Sequence, residues 1–123
     1  MRPHENLRAW QESMLLVEMV YRLTHCFPDT ERFGLSSQLR RAAVSVPSNI
    51  AEGAARGSIP DYIRFLYIAR GSLSEVDTQL QIAERLGYCQ LEQIHQDQIT
   101  SAFGQLGGLI KHLQGKVRVK GAG

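Results

Sequence analysis

This sequence predicts an all-α chain, an antiparallel up-down four-helix bundle with a proline-kinked second helix. Three observations carry that reading. Four segments place apolar residues three and four apart, glycine or proline punctuates the links between them, and no alternating strand pattern or hairpin dipeptide competes. At 123 residues, with 43% apolar and 21% charged, the chain holds enough apolar surface for one core and falls in the globular class. Residues 1–115 are read as that single domain and 116–123 as a flexible basic tail.

In the first segment Leu7, Trp10, Met14, Val17 and Tyr21 step by three and four, which turns all five to one helical face. Phe27-Pro28-Asp29 ends the segment, because proline brings no amide to the helical ladder. On this register Leu15, Met19 and Leu23 stand off the core as an apolar row.

The second segment starts near Gly34 and aligns Leu35, Leu39, Ala42, Val46 and Ile50. Pro47 interrupts it, removing the bond to the Ala43 carbonyl at a typical cost of about 3 kcal/mol. Ser48 and Asn49 offer polar groups to the loosened carbonyls. Small residues on either side (Ala42, Ala43, Ala51, Gly53) let neighbouring helices approach closely. Two readings of this stretch stay open: a kink shaped for packing or assembly, or a groove in which Ser48, Asn49 and Glu52 face a ligand beside Pro47.

Ser58 as N-cap and Pro60 in the first turn open the third segment. Tyr62, Leu66, Ala69, Leu73, Val76, Leu80 and Ala83 then run as an unbroken seam, closed by a left-handed glycine stop at Gly87. Ile63 and Tyr67 lie off that seam, as do Ile68 and Ile82. With Leu15, Met19 and Leu23 they predict self-association through the first and third helices, since exposed apolar area costs about 25 cal/mol per Å² left wet. The fourth segment, about Leu91 to Gln114, uses Ile99, Ala102, Leu106, Leu109 and Leu113 and is weakened by Gly104, Gly107 and Gly108.

Chemistry is sparse. Glu92 and His95 have the Glu-x-x-His spacing of di-iron bundles, but no second such pair exists, so no metal or other cofactor is expected and His95 is read as a satisfied side chain near a bundle end. No nucleophile elbow or phosphate-cradling glycine loop appears, and the chain is not expected to be an enzyme. Gly71 reads as a close-packing point.

Cys26 and Cys89 lack metal or redox spacing and read as reduced thiols. The polar opening "MRPHENLRAWQES", and the lack of any apolar run near about 18 residues, lead to an expectation of a cytoplasmic protein with no membrane partner. Net charge is only +2, but its placement is uneven. Arg40, Arg41, Arg56, Arg64 and Arg70 gather on the second and third segments, and Lys116, Arg118 and Lys120 end the chain. These eight are the candidate nucleic-acid contacts, and they would grip backbone phosphate. Aromatic residues are few and mostly on core faces, so base stacking is not expected.

"ERFGLSSQLRRAAVSVPSNIAEGAARGS" followed by "DYIRFLYIARGSLSEVDTQLQIAERLGY" closely resembles the bacterial four-helix-bundle family associated with 23S rRNA intervening sequences. "LRAWQESMLLVEMVYRLTHCFP" is similar to that family's first helix. Asp61, Val76 and Ala55 depart slightly from its pattern. The resemblance implies a cytosolic homopentamer, with relatives that include the accessory protein of diversity-generating retroelements, a basic ring that engages RNA. Five copies at +2 each would carry about +10, enough to attract a polyanion. Two functions stand: a homo-oligomer binding RNA or a ribonucleoprotein, or a protein-binding scaffold with no nucleic-acid role.

Overall fold

The computed structural model describes residues 1–122, with side chains through Arg118. Four helices dominate: α1 (Arg8–His25), α2 (Leu35–Ala54), α3 (Ile59–Arg85) and α4 (Gln93–Ala122). Short 3-10 turns at Pro3–Asn6 and Asp29–Glu31 precede α1 and α2, and there is no strand among the described residues. Each helix packs on two others, α1 and α3 both lying between α2 and α4. Contacts along the α2–α3 seam run in opposite senses, Gly53 meeting Phe65 and Ser45 meeting Ser72, so the two helices are antiparallel.

The α3 seam is buried as expected: Leu66, Ala69, Leu73, Val76, Leu80 and Ala83 are fully covered, with Tyr62 half-buried at its start. Leu39, Ala42, Val46 and Ile50 do the same on α2, and Ile99, Ala102, Leu106 and Leu113 on α4. The α3 boundaries also match their signals. Ser58 Oγ accepts the Asp61 amide at 3.2 Å. At the other end Gly87 takes φ +79°, Tyr88 N–H reaches the Ala83 carbonyl and Gly87 N–H that of Glu84, a Schellman closure.

The register of α1 is corrected. Its buried face is Ala9, Ser13, Leu16, Met19, Val20 and Thr24, while Met14 and Tyr21 are exposed. Two of those inward residues are polar. Ser13 donates its hydroxyl to the Ala9 carbonyl at 2.6 Å and Thr24 to the Val20 carbonyl at 2.7 Å, which removes the cost of burying them. At the end of the chain, residues 116–122 are helical and continue α4.

A candidate nucleic-acid interface on helix α2

Ser37, Arg41 and Ser45 repeat every four residues and form one row along the start of α2, and Phe33 lies in the turn just before it. A cavity opens on each side of the row. The first, about 600 Å³, lies toward α1 and is lined by Tyr21, Arg32, Arg40 and Val44 together with Phe33 and Arg41. The second, about 530 Å³, lies toward α3 and is lined by Glu75 and Gln79 with Phe33, Ser37 and Arg41.

Arg40 is held in place. Its Nε donates to Thr24 Oγ1 at 2.8 Å, and its guanidinium lies over the Tyr21 ring, 4.7 Å from the centroid. One donor and one face are thereby engaged, and the remaining N–H groups stay with the cavity. Arg32 rests on Phe33 at 5.4 Å, and Phe33 itself is 89% exposed. Phe33 thus stands apart from most of the aromatic residues, which lie in or against the core as expected. Among the described residues no carboxylate pairs with Arg32, Arg40 or Arg41, so three cations border one cleft with their charge uncompensated.

The other predicted cations are elsewhere. Arg56 pairs with Glu52 at 3.0 Å and with Asp61 at 3.6 Å, and Arg64 pairs with Asp61 at 2.9 Å. Both guanidiniums cover the Phe65 ring, at 4.6 and 4.5 Å. Arg70 lies over Tyr67, whose hydroxyl accepts Gln114 Nε2 at 2.8 Å. Lys116 and Arg118 stand exposed on the last turns of α4, and the side chain of Lys120 lies outside the described residues. Arg56 and Arg64 thus sit in an ion-pair cluster of their own, outside the lining of the Arg40–Arg41 cleft.

Pro47, Ser48, Asn49 and Glu52 do not converge on one ligand-facing site. Asn49 Nδ2 donates to the Ser45 carbonyl at 2.8 Å and to Ser45 Oγ at 2.9 Å, and Ser45 and Ser72 share a hydroxyl contact of 2.9 Å. Asn49 thus knits α2 to α3 through Ser45, while Glu52 is committed to Arg56. Pro47 is buried, and with Ser48 it lines an apolar groove of about 340 Å³ beside Trp10, Met14, Val17 and Val44.

Of the predicted interface residues, Leu15 and Tyr67 are exposed, and Leu23 and Ile63 are half-buried against the core. Met19 is corrected: at 5% exposure it belongs to the core, because the helix is rotated by about one residue from the expected register. Gly71 is exposed, and a Cβ there would meet nothing within 4 Å, so it is not a packing point.

His95 Nδ1 accepts the Glu92 amide at 2.9 Å, a local contact at the start of α4. Cys26 and Cys89 are free thiols, and burial is the largest cause raising the Cys89 pKa above 9.0. No cluster of three or more metal-ligating side chains occurs among the described residues, and none of the described helices is long and apolar enough to cross a membrane.

Sequence reasoning found Arg40 and Arg41 but missed Arg32, Phe33, Glu75 and Gln79. A signal for the first two existed: an Arg-Phe pair in a link, outside every apolar seam. Glu75 and Gln79 gave none, since two polar residues four apart occur on any exposed helical face.

These features define a class of protein: a four-helix bundle whose second helix presents a cationic, aromatic-edged cleft. The family model for the 23S rRNA-intervening sequence protein matches residues 5–111, and the chain belongs to that family. Among solved structures, a protein of unknown function from the S23 ribosomal protein family of Bacteroides thetaiotaomicron has the same fold. Its TM-score is 0.75 at 24% identity, over 84% of this chain and 95% of that one. No curated protein matches this sequence.

Proposed function

We propose that this chain is a non-enzymatic, self-assembling cytoplasmic bundle that binds the sugar-phosphate backbone of structured RNA through the cleft of Arg32, Arg40 and Arg41. One observation carries the reading: these cations surround a cavity without carboxylate partners, whereas Arg56 and Arg64 are neutralised by Glu52 and Asp61. Uncompensated guanidiniums at a concave surface concentrate field and suit phosphate, which accepts their forked donors. The family's association with 23S rRNA and the ribosomal protein family of the Bacteroides structure point the same way.

Assembly uses the α1–α2 face. Met14 and Val44 are each 41% exposed beside Trp10, Val17 and Pro47, a groove nearly free of polar groups. A second copy covering it, in the pentamer that the family resemblance implies, would remove that apolar surface from water. Pro47 borders the groove, and a bend of α2 at that residue would fit it along a neighbour. The same groove favours a second reading, a scaffold that docks a protein partner and no RNA.

Fluorescence anisotropy with a labelled RNA hairpin, at rising salt, separates the two. Steeply salt-dependent binding supports the first reading. No binding to any hairpin at low salt overturns it, and capture of a protein partner after nuclease treatment then favours the second.

A further inference from the structure

The cavity on the α3 side differs from the cationic cleft in what it lacks. Gln79 lines it, and Gln79 Oε1 is buried with no hydrogen-bond partner among the described residues. A buried carbonyl oxygen left unpaired marks a place where a donor is missing. Glu75, one helical turn earlier on α3, lines the same cavity and makes no ion pair among the described residues. The α3 wall of the cavity therefore carries two side chains with acceptor oxygens, one helical turn apart.

Its mouth is different chemistry. Phe33 presents a ring that is 89% exposed, and Arg41 borders both this cavity and the cationic cleft. A flat apolar face, two acceptor side chains on α3 and a cation shared with a phosphate-attracting surface match the parts of one unstacked nucleotide.

We propose that this cavity takes a single unpaired base of a bound RNA, and that it favours a base with an exocyclic amine. The base stacks on Phe33. Its amine donates toward the Glu75 carboxylate and, once the Gln79 side chain turns outward, to Gln79 Oε1, and its phosphate lies on Arg41. Adenine, cytosine and guanine carry that amine. Uracil does not, because its lone edge donor is flanked by two carbonyl oxygens that would face the Glu75 carboxylate. The cavity volume of about 530 Å³ is within the usual range for a small-molecule or nucleotide site, about 300–1,000 Å³. This inference rests on the RNA-binding reading above and deepens it.

The test uses four labelled hairpins: fully paired, or with one bulged adenosine, one bulged uridine or one abasic bulge. Wild-type protein is expected to bind the adenosine bulge about tenfold more tightly than the paired hairpin, within the range that base stacking supplies. The uridine and abasic bulges are expected to gain less.

Phe33→Ala, at an exposed position, brings the ratio of bulged to paired affinity close to one. Gln79→Met keeps part of that ratio but abolishes the preference of adenosine over uridine. If wild-type protein binds paired and bulged hairpins equally, or if Phe33→Ala leaves the ratio intact, the base pocket is wrong while backbone binding stands. If no hairpin binds at low salt, both readings fall together. A peptide occupant would give the first of these overturning results.

Discussion

Tyr88, in the link between α3 and α4, donates its hydroxyl to Glu31 Oε2 at 2.8 Å, while the other oxygen of that carboxylate accepts the Leu35 amide at 3.1 Å. Phe27 packs on the Tyr88 ring at 5.6 Å. One carboxylate thus caps α2 and fastens one end of the bundle across 57 positions of sequence.

That linkage has a pH signature. The Leu35 amide first, and then the Tyr88 hydroxyl, hold the Glu31 carboxyl below its ordinary 4.5. A carboxyl depressed in the folded state stabilises the fold above its unfolded value, and the contribution is lost as pH falls through the folded one. Tyr88 is raised above 10.0, chiefly by its bond to Glu31, so its share is present below 10 and is lost as pH rises through the raised value. Urea denaturation between about pH 6 and pH 3 should show wild-type stability falling at the acid end. Glu31→Gln should be less stable near neutrality and lose less on acidification. Equal slopes for the two proteins would remove Glu31 as the cause.

Two glycines should respond in opposite ways to alanine. At Gly53 a Cβ would fall 2.8 Å from Phe65 Cβ and 3.2 Å from the Tyr62 carbonyl, so α2 and α3 would have to separate. Gly53→Ala should destabilise by about 1–3 kcal/mol despite better helix propensity. Gly71, with open space around its Cβ position, should gain about 0.5–1 kcal/mol. Thermal melts followed by circular dichroism check both. A stabilised Gly53→Ala would mean that the helices are not packed this closely.

The α3 helix was the most legible part of the sequence, because capping, periodicity and glycine stop all agree over the same residues. The α1 register was not. Trp10, Met14, Val17 and Tyr21 make a convincing stripe, yet the buried face runs through Ser13 and Thr24, whose hydroxyls are satisfied by carbonyls one turn back. Apolar periodicity cannot register a polar side chain that its own helix has neutralised. The candidate site was half legible for a related reason. Arginines are visible in sequence, but the charge each presents depends on which carboxylates fold beside it, as Glu52 and Asp61 do beside Arg56 and Arg64.

The assembly proposal predicts that Met14→Glu reduces particle mass in light scattering while helicity is retained, and that Leu15→Glu does so less, since Leu15 does not line the groove. Unchanged mass for Met14→Glu would place the interface elsewhere. Pro47→Ala restores the donor that α2 lacks opposite the Ala43 carbonyl. Altered mass in this variant supports a bend shaped for assembly. An intact oligomer that has lost RNA binding would instead tie Pro47 to the ligand.

The most direct test of the central claim is the salt slope of RNA binding in two sets of variants. Each phosphate contact contributes roughly 0.7 to 0.9 to the slope of log affinity against log salt. Replacing Arg32, Arg40 and Arg41 by glutamine should flatten the slope by about two, while replacing the paired Arg56 and Arg64 should leave it nearly unchanged. Equal flattening in both sets, or a slope untouched by loss of the cleft arginines, would contradict the account.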